Sequence, residues 1–364
     1  MTDKYQKYKD LRRLDVSRRL NTEAIRSFIL DNVQQHPSDI ARLTAEQFGV
    51  SRQTANTHIA RLVEAGAIQA TGQTRNRRYS LVVHEALHVF DLAETRDEDR
   101  VWRDFVSQHL EGLPENVSLI CHHGFTEMFN NVIDHSETDL ASVQIVRSEK
   151  EVTIRVADDG VGIFEKIKSR FGLDDHRQAI LELAKGKLTT DPKHHSGEGI
   201  YFSSRMFDVF SILSGYLYFS HSLDQEDWLI EDYEIASPGT AVRMTIATNS
   251  KRTTVEIYEK HISDVDGNEF AFARTHVPLK LAASGGDNLV SRSQAKRVLK
   301  RFDRFKEVLL DFSGVESIGQ GFADEIFRVF RQANPQISVL HINANENVAR
   351  MIAHVTAKQE PLGP

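Results

Sequence analysis

Glu127 and Asn131 lie four residues apart in a stretch whose apolar residues, Phe125, Met128, Phe129, Val132 and Ile133, repeat at helical spacing. The two polar residues therefore share a face of one helix, with His135 one turn further on. A carboxylate there can orient and deprotonate a water, and an amide oxygen is a hard ligand for Mg²⁺. A second group follows a period-two strand, Val152/Ile154/Val156, as Asp158-Asp159-Gly160-Val161-Gly162-Ile163. Its two glycines let the backbone approach a flat ligand, and Asp158 can accept a hydrogen bond from an adenine amino group. A third, His195-Ser196-Gly197-Glu198-Gly199-Ile200, opens a helical stretch. Glycines at a helix start expose N–H groups to phosphate. A fourth, Pro238-Gly239-Thr240, precedes the strand Val242, Met244, Ile246, where Thr240 can support an adenine pocket.

Positioning these groups requires alternating helices and strands from about residue 116 to 247, with Val143/Ile145 as a further strand and a turn at Glu149-Lys150. The four elements in this order closely resemble the GHKL ATPase family, whose Bergerat fold gyrase, histidine kinases, mismatch-repair ATPases and heat-shock chaperones share. The resemblance implies ATP and Mg²⁺ as ligands, Glu127 as general base, Asn131 as Mg²⁺ ligand and Asp158 on adenine. It implies Gly160, Gly162, Gly197 and Gly199 around the nucleotide. Residues 163–196 would form a lid, with Lys187, Lys193, His194 or His195 as phosphate contacts. Many histidine kinases lack a Glu at the place of Glu127, whereas the hydrolases and the anti-sigma serine kinases have one. The resemblance thus favours activation of a water or a hydroxyl over transfer to histidine.

The N-terminal part has a different chemistry. Residues 1–90 carry 14 Lys+Arg against 9 Asp+Glu, a net of +5 in a chain of net charge -7, which leaves -12 for the rest. Such asymmetry points to a nucleic-acid-binding head. Ile25, Phe28, Ile29 and Val33 form a helical stripe, and a second short helix ends near Phe48-Gly49. A third helix, Ser51 to Ala65, turns Ala55, Ile59, Leu62 and Val63 inward and leaves Arg52, Gln53, Asn56, Thr57 and Arg61 on its polar face. Two short strands between Ile68 and Leu81 follow, joined by a loop bearing Arg75, Arg77 and Arg78. A polar helix face suits the major groove and arginines suit phosphates. The segment resembles the winged helix-turn-helix family over about 60 residues. Dimerisation is expected on that reading, because such proteins often bind two half-sites.

Residues 252–357 read as a separate α/β unit: a turn at Asp266-Gly267, a loop at Gly285-Gly286, a helix over Ala295 to Phe305, a strand over Val308 to Phe312, a helix over Phe322 to Phe330 and a strand over Ile337 to Ile342. The run Val308-Leu309-Leu310-Asp311-Phe312-Ser313-Gly314-Val315, then Ile318-Gly319, resembles the STAS family of anti-sigma antagonists in its STAS-like variant. That resemblance implies a sensing or partner-docking domain. STAS partners present a phosphorylatable Ser where this chain has Gly319-Gln320-Gly321, without a hydroxyl.

The 364 residues, 40% hydrophobic and 27% charged, suit two or three globular domains and exclude collagen-like and low-complexity chains. No apolar run is long enough to span a membrane, and the charged stretch Met1 to Leu20 predicts no secretory signal. Cys121 is the only cysteine, which excludes disulfides and cysteine zinc sites and predicts a reducing, cytoplasmic compartment. His84-Glu85-Ala86-Leu87-His88 matches the zincin pattern but lies in a connector, so a solvated linker helix is expected. Asp264 to Asn268 has its glycine in the wrong place for a calcium loop, Ala282 to Gly286 lacks the Gly-Lys-Ser/Thr of a P-loop, and His122-His123 and His194-His195 lack ligand partners at metal spacing.

The expected plan is a multidomain α+β chain: an extension (1–20), a winged helix-turn-helix (21–81), a linker (82–115), a Bergerat α/β sandwich (116–250) and a STAS-like α/β domain (251–364). Its expected function is ATP-responsive transcription regulation, with ATP and Mg²⁺ ordering the lid and biasing DNA binding. The alternatives are an anti-sigma-type serine/threonine kinase acting on a partner protein, and an interaction scaffold in which nucleotide is structural.

Overall fold

The structure is a computed structural model that describes residues 22–188, 197–223, 227–232, 237–265, 269–283 and 289–357. Its contacts divide the chain into two units, Met1–Ala86 with Val146–Val152, and Leu87–Ile145 with Thr153–Pro364. The fold is mixed α/β with several sheets. No described helix is long and apolar enough to cross a membrane.

The first unit holds helices α1 (22–32), α2 (Ile40–Phe48) and α3 (Arg52–Glu64) and the antiparallel hairpin β1 (Ile68–Thr71)–β2 (Arg78–Leu81). Its core gathers Ile25, Ile29 and Val33 of α1, Ile40 of α2, Ile59 and Leu62 of α3, and Ile68 of the hairpin. The helical stripes read from the sequence thus converge on one another. Ser51 caps α3 by accepting from the N–H of Thr54 at 3.0 Å. The Tyr79 N–H donates to the Pro37 carbonyl at 2.8 Å and pins the hairpin to the α1–α2 connection.

A seven-stranded sheet runs in the order β3-β4-β5-β9-β6-β7-β8. Its strands are β3 (His84–Asp91), β4 (Leu140–Arg147), β5 (Glu151–Asp158), β6 (Val209–Gly215), β7 (Leu217–Ser222), β8 (Trp228–Glu231) and β9 (Ser237–Ala247). β6 pairs antiparallel with both β7 and β9. Before the sheet's long helix come α4 (Glu98–Val101) and two further helical turns, Trp102–Val106 and Ser107–Leu110. The helices that follow are α5 (Glu115–His135), α6 (Ile163–Phe171), α7 (His176–Lys185) and α8 (Gly199–Met206). α5 packs on β9, and α6 and α8 pack on β6. The stripe on α5 is its buried face: Phe125, Met128, Phe129 and Val132 are enclosed.

The segment 82–115, expected to be a connector, is structured. β3 supplies the edge of the large sheet, and Val101, Val106 and Leu110 bury the turns that follow. His84 and His88 therefore lie on a strand, not on a helix. At about 3.3 Å per residue they stand roughly 13 Å apart, too far to share a metal.

After β9 come α9 (Thr254–His261) and the antiparallel hairpin β10 (Ile262–Val265)–β11 (Glu269–Phe272). Its turn residues, Asp266 and Gly267, lie outside the described residues, as do Gly285 and Gly286. The C-terminal module has three parallel strands in the order β12 (Arg274–Pro278), β13 (Glu307–Asp311), β14 (Ser338–Ile342). Its helices are α10 (Arg292–Leu299), α11 (Gln320–Asp324), a π-helical turn Glu325–Phe330, α12 (Arg331–Ala333) and α13 (Glu346–Ala357). Val277, Val308, Leu310 and Val339 of its strands and Ala295, Val298, Phe322, Ile326 and Val348 of its helices are buried. α10 stops at Leu299, short of the expected Phe305, and Arg301 turns left-handed at φ 67° before the short 3₁₀ turn Phe302–Arg304.

Candidate functional site

A cavity of about 290 Å³ opens between α5, α6, α8 and the ends of β5 and β9. Glu127 and Asn131 reach it from α5, Asp158 from the end of β5, Gly162 from the turn into α6, Gly197 and Gly199 from the start of α8, and Thr240 from β9. Four sequence segments read separately thus meet around one space. Of the expected residues with described positions, Gly160 stands just behind the wall, where its N–H donates to Asp158 Oδ1 at 2.9 Å.

The Asp158 carboxylate also accepts from the backbone N–H of Thr240. Burial pushes its pKa above the ordinary carboxylate value, against the pull of those two donors. The Thr240 hydroxyl accepts from the Ile163 N–H at 2.9 Å, and Ser214 Oγ donates to the Gly239 carbonyl at 2.8 Å. The first bond ties the turn after β5 to β9, and the second ties β6 to β9. Gly162 holds φ 86°, and a Cβ there would press on Ser214 Oγ. At Gly199 the reason is contact, since a Cβ would overlap the Glu127 carboxylate. Glu127 therefore lies against the first residue of α8, where a helix exposes N–H groups.

One residue of the cavity wall is absent from the sequence reading, and another nearby on α5 entered it only as a rejected metal ligand. Lys166, in the first turn of α6, lines the cavity and donates Nζ to the His135 carbonyl (2.6 Å) and to Glu137 (2.9 Å). Its position four residues beyond Gly162 was the available signal. His123, one turn before Glu127 on α5, is pushed by burial down to about 4 and finds no partner for Nε2 among the described residues. Tyr258 of α9 packs its ring on Phe202 at 4.3 Å and on His123 at 6.0 Å, joining the two helices that carry Glu127 and Gly199. Cys121 is buried, and its thiol is pushed up to about 12.

A second polar set lies in the first unit. Arg52, Gln53, Asn56 and Thr57 are all exposed along one side of α3, opposite buried Ala55, Ile59 and Leu62. The Thr57 hydroxyl donates back to the Gln53 carbonyl at 3.0 Å. Arg77 and Arg78 are exposed on the hairpin, Arg77 lying 5.4 Å over the Tyr79 ring. Arg75 belongs to the turn Thr74–Asn76, and its side chain lies outside the described ones.

In the C-terminal module, Asp311 ends β13 and collects donors from three segments. Oδ1 accepts from Ser313 N (2.9 Å), Ser313 Oγ (2.8 Å) and Asn343 Nδ2 (2.9 Å), while Oδ2 meets His276 Nε2 at 3.0 Å. The loop after it leads through Ile318, bridged to Leu289, into α11 at Gln320. Residues 294–349 match the family model of the STAS-like domain of unknown function (DUF4325). No curated protein matches the chain.

The STAS-like module touches the stem of the expected lid. Residues 163–188 form α6 and α7 and a short run after them, while Lys193, His194 and His195 lie outside the described residues. Lys187, expected as a phosphate contact, donates Nζ to the Arg304 carbonyl at 3.1 Å and sits 5.3 Å over the Phe305 ring.

Proposed function

We propose that this chain is an ATP-binding regulator that binds DNA through its N-terminal unit. The observation that carries the nucleotide half is the single cavity shared by Glu127, Asn131, Asp158, Gly162, Gly199 and Thr240. Its donor set fits ATP and Mg²⁺. A buried carboxylate held by backbone N–H groups keeps lone pairs for an adenine amino group, and the α8 N-terminus suits phosphate. Asn131 offers a hard oxygen to Mg²⁺, which when bound neutralises phosphate charge. Glu127, one turn away, is placed to orient a water or a hydroxyl and take its proton. The similarity of these motifs to the GHKL ATPases supports the same reading.

The DNA half rests on the exposed face of α3 and the two exposed hairpin arginines. In the winged-helix reading, Arg52, Gln53, Asn56 and Thr57 face base edges while Arg77 and Arg78 neutralise phosphates. ATP and Mg²⁺ would then control transcription, with the STAS-like module docking a protein partner and the heads of a homodimer reading two half-sites.

Single-turnover incubation with γ-labelled ATP and Mg²⁺ tests the chemistry. Wild type is expected to release phosphate, and Glu127→Ala to abolish release while retaining ATP. Label moving to a serine or threonine of a partner protein would make the chain a kinase of the anti-sigma type. ATP bound without release or transfer would leave a nucleotide-dependent scaffold. For the DNA half, Arg52→Ala or Asn56→Ala is expected to cost about 1–3 kcal/mol on a selected site, and Arg78→Ala to lower the salt slope by about 1. Unchanged affinity and slope in all three variants would sink the DNA assignment.

A further inference from the structure

α7 carries Glu182 and Lys185 on a face with almost no solvent access, their side chains 4% and 0% exposed. Charged groups reach such depth only when paired and hydrogen-bonded. Here the pairing is completed from another module. Glu182 holds Lys185 Nζ at 2.6 Å and Arg301 Nη1 at 2.8 Å. Lys185 Nζ also donates to the Lys300 carbonyl at 3.0 Å, and the Thr275 hydroxyl of β12 donates to the Lys185 carbonyl at 2.6 Å. The second Arg301 nitrogen donates to the carbonyls of Gly186 (3.0 Å) and Lys187. Arg304 donates to the Lys187 carbonyl at 3.0 Å. The three successive carbonyls 185–187 therefore all end on STAS-like donors.

This stem leads straight into the cavity. Leu183 and Leu188 line it, and the Leu188 N–H donates to the Gly197 carbonyl at 3.0 Å, next to the Gly199 that abuts Glu127. Arg301 adopts its left-handed backbone, unusual for a residue with a Cβ, in the act of delivering its guanidinium. Burial lowers the pKa of Arg301 and pushes Lys185 down to about 8. Lys185 and Arg301 are drawn into this dry place by the one carboxylate of Glu182 and a row of carbonyls.

We propose that Arg301 is a positioning residue of the nucleotide site, through which the STAS-like module fixes the Gly186–Leu188 stem, so that nucleotide binding and docking of the STAS-like module form one coupled equilibrium. The proposal rests on the nucleotide reading above. Coupling of this kind is reciprocal: whatever loosens the module from α7 weakens nucleotide binding by the same factor that nucleotide strengthens docking. A partner engaging the Arg301 side of the STAS-like module would thereby change nucleotide occupancy without touching the cavity.

The test uses the full chain, Mg²⁺ and a non-hydrolysable ATP analogue. Nucleotide affinity and hydrogen exchange in peptides covering 274–278 and 292–304 are measured for wild type, Arg301→Lys, Arg301→Ala and Arg304→Ala. In wild type, nucleotide is expected to slow exchange in both STAS-like peptides. Arg301→Lys keeps the charge facing Glu182 but loses the fork, so it should stay folded, bind at least tenfold more weakly and lose the nucleotide-dependent protection. Arg304 is exposed, so Arg304→Ala tests the stem without risk to folding and should weaken binding a few-fold. Wild-type binding with unaltered exchange in both peptides, together with wild-type affinity in Arg301→Lys and Arg304→Ala, would overturn the proposal alone. Absence of nucleotide binding by wild type would overturn the nucleotide reading and the proposal with it.

Discussion

Asp158 and Asp311 occupy the same kind of place, the last residue of a central strand, β5 in one case and β13 in the other. Their surroundings make them opposites. Asp158 receives two backbone N–H groups and faces a cavity, and burial wins, raising its pKa. At Asp311 burial pulls the same way, but His276, Ser313 and Asn343 outweigh it and hold the carboxyl far below its ordinary range. One carboxylate retains capacity for a ligand, whereas the other is consumed in joining three strand ends. The number of donors aimed at each acid, not its position on a strand, separates a carboxylate left open to the cavity from a structural pin.

Exchanging the two acids breaks the comparison most sharply. Asp158→Asn is expected to lower nucleotide affinity about 100-fold, near 2.7 kcal/mol, with little change in melting temperature. Asp311→Ala should do the reverse, costing about 2–3 kcal/mol of stability because it strands several donors, while the folded fraction binds nucleotide normally. Calorimetric melts and titrations on both variants decide the matter, and equal effects on both readouts would erase the distinction.

A smaller effect tests burial without donors. His123 is held near 4 in the folded chain against about 6.5 unfolded. The unfolded chain binds a proton below about 6.5 that the folded chain refuses until about 4. Stability contributed by neutral His123 is thus complete above pH 6.5 and lost as pH falls toward 4, by about 2 kcal/mol between pH 6.5 and 5. His123→Phe should flatten that part of the stability–pH curve, and an unchanged slope would show that the histidine titrates normally.

The groups that meet in the cavity were legible because each is local. The stripe on α5 fixes which side Glu127 and Asn131 share, and a strand ending in Asp158 ahead of Gly160 and Gly162 announces a turn that a ligand can approach. The α3 face was legible for the same reason. What escaped depends on neighbours distant in sequence. β3 was hidden because its period-two signal is diluted by His84, Glu85 and His88, and because exposed Leu87 and Val89 sit on an edge. Glu182 and Lys185 look like solvated lid charges until Arg301, 119 residues later than Glu182, takes them out of water. The contact of Lys187 with a backbone carbonyl of the C-terminal module was hidden in the same way.

The interval between Glu182 and Arg301 sets a clock on synthesis. At about 5–20 residues per second, 119 residues take roughly 6–24 s to emerge. Through that time α7 is complete, yet the buried pair of Glu182 and Lys185 lacks Arg301. A ribosome stalled or a chain cut before β12 would release a product whose sticky helix is its weakest point. The last quarter of this chain thus completes a burial that its middle begins.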